Sequence, residues 1–141
     1  KPVNLNPNSI LTMSHFSTIK TKIKHKPQLL EALELLQYDV KQDQELVVGG
    51  EHGKNHPVVQ ADICIANDIG FRFNPNTETY ELVTDIETWS EPIPPARFLD
   101  KVTQQYARMT VHDTVKEMGF KVEEEWEMDD NSIELTVTRW V

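Results

Sequence analysis

The sequence predicts an α+β fold: a single antiparallel-rich sheet of about six strands with two amphipathic helices on one face. Three observations point there. Several stretches alternate apolar and polar residues with a period of two. Only two stretches repeat at helical spacing. Most of the alternating stretches follow one another directly, separated by short turns, which favours antiparallel pairing. The predicted order is β-α-β-β-β-β-α-β-β.

From His15 the chain alternates, with Ser17, Ile19, Thr21 and Ile23 on one side and Lys20, Lys22 and Lys24 on the other. That is a half-buried strand with Ile19 and Ile23 as core positions. Pro27 suits the first turn of a helix, where a missing N–H costs nothing. Leu29, Leu30, Leu33 and Leu36 then recur at helical spacing, with Glu31 and Glu34 outside, to an end near Tyr38. Residues 40–48 form a second strand, and the Gly/His-rich stretch 49–57 a loop. Val59, Ala61, Ile63 and Ile65 alternate over 58–66, and residues 69–86 form a hairpin around Asn74-Pro75-Asn76-Thr77. Glu91-Pro92-Ile93-Pro94-Pro95 breaks the strand and launches a helix, with Phe98, Val102, Tyr106 and Met109 on one face. Gly119 stands where a C′ glycine belongs. Phe120, Val122 and Trp126, then Ile133, Leu135 and Val137, flank an Asp129-Asp130-Asn131-Ser132 turn as a closing hairpin.

Residues 1–12 hold two Pro and three Asn with no clear period, so they read as a disordered extension or a remnant foreign to the domain, with one α+β domain over 13–141. A chain of 141 residues fits one domain with an ordinary core. The 38% hydrophobic and 26% charged fractions exclude an intrinsically disordered chain. No apolar run is long enough to span a bilayer, and no secretory signal is expected. The net charge of −9 opposes a sequence-independent grip on nucleic acid. Charge is unevenly spread: no acid precedes Glu31, whereas residues 121–134 hold seven acids and one Lys. Were the first and last strands neighbours, these would face each other as complementary pairs; a solvated face is the simpler reading. Cys64 is the only cysteine, so no intramolecular disulfide forms, which fits a reducing compartment.

The run Met13-Ser14-His15-Phe16-Ser17-Thr18-Ile19-Lys20-Thr21-Lys22-Ile23 resembles the start of the hypothetical chloroplast reading frame thirty-five family. Ala61-Asp62-Ile63 leading into Asp68-Ile69-Gly70-Phe71 is also similar, as are Gln105-Tyr106-Ala107, Gly119-Phe120 and Arg139-Trp140. The resemblance covers roughly 13–141. It implies a cyanobacterial cytoplasmic or plastid stromal setting and brings no catalytic residues with it.

Several constellations invite chemistry. His52 and His56 beside Glu51 have a metal-ligand flavour, but Gly53 and Pro57 oppose the helix that would align both imidazoles. Gly49-Gly50-x-x-Gly53-Lys54 suggests a phosphate cradle, yet a strand follows it rather than a helix. Cys64 in mid-strand reads as a packed thiol, and His15 and His112 as lone imidazoles. Asp85 and Glu87 share a face if their strand continues. The acids of 123–130 lack EF-hand spacing.

If both helices cover one face of the sheet, the other is open to solvent or a partner. Trp89, Trp126 and Trp140 are its candidate partner-binding residues, with Trp126 and Trp140 placed to meet; the alternative is that they pack in the core. The function expected is a non-catalytic binding or accessory module, with an unknown protein partner, no cofactor and no nucleic acid. The alternative is a metal-dependent enzyme or regulator using Glu51, His52 and His56. A third reading places nucleic acid on the Lys20, Lys22, Lys24, Lys26 stripe, against the global charge.

Overall fold

The computed structural model describes residues 16–47, 58–130 and 132–140. The element order is the expected one: β1 (Ser17–Lys20), α1 (Lys26–Leu35), β2 (Lys41–Val47), β3 (Val58–Ala66), β4 (Ile69–Asn74), β5 (Thr79–Thr84), a 3₁₀ turn (Ile86–Thr88), α2 (Pro95–Glu117), β6 (Phe120–Glu127) and β7 (Ile133–Arg139). The fold is α+β, but its strands form two sheets rather than one. Five are ordered β1-β5-β4-β3-β2, and β6 and β7 make a separate two-stranded sheet. The chain divides into two compact units, Lys1–Lys24 with Asp39–Pro95 and His25–Tyr38 with Ala96–Val141.

In the first unit every strand pair is antiparallel. β1 is shorter than its alternation suggests. Thr21 Oγ1 donates to Tyr80 O at 2.6 Å and accepts from Ile23 N at 3.0 Å. This side chain takes the place of a ladder rung and ends the strand at Lys20. Ile23 is still fully buried, beyond the strand, and its carbonyl accepts from Tyr80 N. Ile19 is half-buried.

Tyr80, Glu81, Leu82, Val83 and Thr84 are all buried in succession, as are Ile69, Gly70 and Phe71. Successive strand side chains point to opposite faces, so both faces of the sheet centre are covered. The expected open sheet face is therefore not found there. Gly70 permits the tightest approach: a Cβ at this position would stand 2.6 Å from the Ile63 carbonyl oxygen. Thr84 Oγ1 is buried without a hydrogen-bond partner.

Both edges of this sheet carry guards against further pairing. β1 has four residues and ends on Lys20. β2 opens with five exposed polar residues, Lys41 to Glu45, and Asp43 sits at φ 56° in the left-handed region. Short, charged and kinked edges template poorly. The first strand pairs with β5 and the last with β6, so the basic N-terminal run and the acidic 121–134 run do not face each other as strand neighbours.

In the second unit α1 starts with Pro27 in its first turn and buries Leu29, Ala32 and Leu33. α2 buries Phe98 and Val102. The Phe98 ring meets Tyr38 edge-on at 5.4 Å. The Tyr106 hydroxyl accepts from His25 N, and Gln28 donates to Asp113 at 2.8 Å. Gly119 closes α2 at φ 87°, its N–H bonded to Lys116 O.

Candidate functional site

The most organised polar cluster lies in the second unit, between α2 and the β6–β7 hairpin. Gln104, Arg108 and His112 are spaced four apart on α2, so they form one stripe. Glu125 and Glu127 on β6 meet it. Arg108 Nε donates to Glu125 Oε2, His112 Nε2 lies 2.7 Å from Glu125 Oε1, and Gln104 Nε2 donates to Glu127 Oε1 at 3.3 Å. Gln104, Gln105, Arg108, Glu125, Glu127 and Ile133 line a groove of about 420 Å³.

A bulge makes this possible. The β6–β7 register shifts between Val122 and Glu124. Before it, Phe120 and Val122 lie on the half-buried face, opposite Arg139 and Val137. After it, Glu125 and Glu127 take over that face, opposite Leu135 and Ile133. One extra residue reverses the parity of everything that follows. Glu125 is turned toward Arg108 and His112, and Trp126, which simple alternation places beside Val122, is turned outward at 47% exposure.

The Arg108 guanidinium is the main reason the Glu125 carboxyl is held below its ordinary value. His112 lowers it further, against partial desolvation. An imidazole held by a carboxylate is half of an acid–base machine. These three contacts act as a strut that pins the hairpin to the helix. His112, a lone imidazole by sequence, has Glu125 as its partner.

The other residues singled out from the sequence are dispersed. Trp140 is 60% exposed, and its backbone N–H donates to Gly119 O at the open end of the hairpin. Trp126 opposes Glu134 near the turn. The register thus keeps Trp126 and Trp140 apart instead of bringing them together. Trp89 belongs to the first unit, where its indole N–H donates to Ile93 O at 2.7 Å. Asp85 and Glu87 do not share a strand face, because β5 ends at Thr84. Asp85 instead caps the 3₁₀ turn, accepting from Glu87 N. Of the lysine stripe, only Lys20 lies in a strand, so no continuous basic strand face exists.

Cys64 is 5% exposed, and its Sγ points at Gln44 O, 3.9 Å away. Burial pushes its pKa up, and Asp43 and Asp62 push the same way against the Gln44 carbonyl contact. It is a packed thiol. It borders a polar groove of about 510 Å³ beside β2, lined among others by Asp39, Lys41, Asp43 and Gln60. Glu51, His52 and His56, with the rest of the 48–57 stretch, lie outside the described residues. Among the described residues no group of three or more His, Cys, Asp or Glu is placed to hold a metal ion. No helix among them is long and apolar enough to cross a membrane.

Comparison with known proteins gives a consistent answer. The family described as "Protein of unknown function (DUF1257)" matches residues 32–136. A protein of Pyropia yezoensis named "Uncharacterized protein ycf35" is 34% identical over 132 residues, covering 91% of this chain and 98% of that relative. Proteins of the same name from Guillardia theta and Cyanophora paradoxa are each 33% identical over 132 residues, with the same coverage. No solved structure matches.

Proposed function

This chain belongs to the family described as "Protein of unknown function (DUF1257)", and we propose that it is a non-catalytic protein-binding module of the plastid stroma or cyanobacterial cytoplasm. The relatives' shared name supports the setting. On this reading residues 13–141 act as one domain and residues 1–12 stand outside it.

The observation that carries the binding role is the share of exposed large apolar side chains on the helix–hairpin unit. Leu35, Val111, Met118, Trp126, Met128 and Trp140 lie there, both strongly exposed Trp residues among them, against Val58, Phe73 and Ile86 in the five-stranded unit. The helix–hairpin unit has no fully buried residue anywhere from Thr103 to Trp140 among the described residues. Exposed aromatics over an unfinished core are what a partner surface needs. Trp126 and Trp140 are its principal contacts. Trp89 is a lesser one, since its indole N–H is already used.

Affinity capture from native lysate tests this. The wild-type chain retains a partner in near-stoichiometric amount, and Trp126→Glu or Trp140→Glu loses it. If neither wild type nor variants retain any protein, the binding role is wrong.

A further inference from the structure

We propose that the outer edge of β7 pairs, antiparallel, with the same edge of a second copy of this chain about a two-fold axis at Thr136. This rests on the protein-binding reading and names one partner for it.

An exposed edge offers unpaired N–H and C=O groups, and proteins blunt it with shortness, charge, kinks or bulges. β1 is short and ends on Lys20, and β2 is polar and kinked at Asp43. β6 carries Glu123, Glu124, Glu125 and Glu127 with a single Lys, and it is bulged. β7 has none of these devices. It runs seven residues, Ile-Glu-Leu-Thr-Val-Thr-Arg, with no Pro and no Gly, and every residue after the bulge stays in register. Its one acid and one base, Glu134 and Arg139, cancel within a chain of net charge −9. Among the described residues β6 is its only strand partner.

The occupant follows from the residue pattern. A two-fold at Thr136 sets Leu135 opposite Val137, Glu134 opposite Thr138, Ile133 opposite Arg139 and Thr136 opposite itself. Residues directly opposite share a face. The apolar positions therefore stay together on the half-buried side, no like charges meet, and the contact is isologous. The same operation on β6 would array its glutamates against one another. A four-stranded sheet results, and the backbone groups along the outer edge of β7 gain partners.

The position on the axis makes the test selective. Within one chain Thr136 opposes Glu124. Thr136→Lys therefore adds a favourable cross-strand pair to the hairpin, while across the axis two ammonium groups meet. Light scattering on the full chain gives twice the 16.3 kDa monomer mass for wild type. Thr136→Lys raises the dimer dissociation constant about fivefold or more. Under oxidation Thr136→Cys yields a covalent dimer, because directly opposed residues lie within disulfide range. Thr138→Cys does not, since its two copies stand about 13 Å apart along the strands.

A wild-type chain that stays monomeric at every concentration overturns the self-pairing. In that case partner capture that depends on Trp126 leaves the binding role intact. A dimer that ignores Thr136→Lys and does not crosslink through Thr136→Cys also overturns it, because the association then uses another surface.

Discussion

Leu82 and Leu135 are the same residue in the same kind of antiparallel strand, yet they meet different surroundings. Leu82 has no exposed surface, whereas Leu135 is half-buried. The difference runs through both units. The five-stranded sheet is covered on both faces at its centre and guarded at both edges. The hairpin leaves its side chains half-covered and one edge bare. A sheet finished within its own chain spends its apolar surface on stability. A hairpin left unfinished keeps that surface for something else.

Equal deletions should expose the contrast most strongly. Leu82→Ala leaves a cavity in a covered core and is expected to cost about 2–5 kcal/mol in urea unfolding. Leu135→Ala removes less buried surface and is expected to cost about 1 kcal/mol, measured below the dimer dissociation constant. Equal costs would erase the distinction between the two regions.

Gly70→Ala probes the packing of the sheet alone. Its Cβ would press on the Ile63 carbonyl at 2.6 Å, with Ala61 and Leu46 side chains 3.2 Å away. Relief needs backbone movement, so a loss of about 1–3 kcal/mol is expected, with m unchanged.

The hairpin's own anchor is electrostatic. The Glu125 pKa is lowered in the folded chain, chiefly by Arg108. Its contribution is therefore complete above the ordinary carboxylate range and is lost as pH falls through the lowered value. Glu125→Gln is expected to cost about 1 kcal/mol near neutrality and to flatten the acid limb of stability against pH. An unchanged acid limb would show that the strut carries no linkage.

The smallest effect has the opposite sign. Thr84 buries a hydroxyl with no hydrogen-bond partner. Thr84→Val keeps the shape and removes the unsatisfied group, so a gain of about 1 kcal/mol is expected from thermal unfolding.

These contrasts show what local pattern can reveal. The element order and most boundaries were legible, because Val59, Ala61, Ile63 and Ile65 alternate, a turn sequence at Asn74-Pro75-Asn76-Thr77 splits the next hairpin, Pro95 starts a helix and Gly119 ends it. Side-chain competition was not: Thr21 ends β1 by bonding to a residue 59 positions away. The bulge was invisible too. Glu123-Glu124-Glu125 reads as a solvated acidic run, and nothing in its spacing says that one carboxylate turns inward to Arg108 and His112. The four-residue spacing of Gln104, Arg108 and His112 was the one available clue, and it has meaning only with a facing strand. The left-handed kink at Asp43 on the β2 edge is a backbone property that period alone does not report.

Amide hydrogen exchange at two protein concentrations tests the central claim most directly. Protection over Ile133–Arg139 is expected to rise with concentration, while protection over Ile69–Asn74 and Thr79–Thr84 stays constant. Concentration-independent protection of Ile133–Arg139, or a rise confined to the five-stranded sheet, would contradict it.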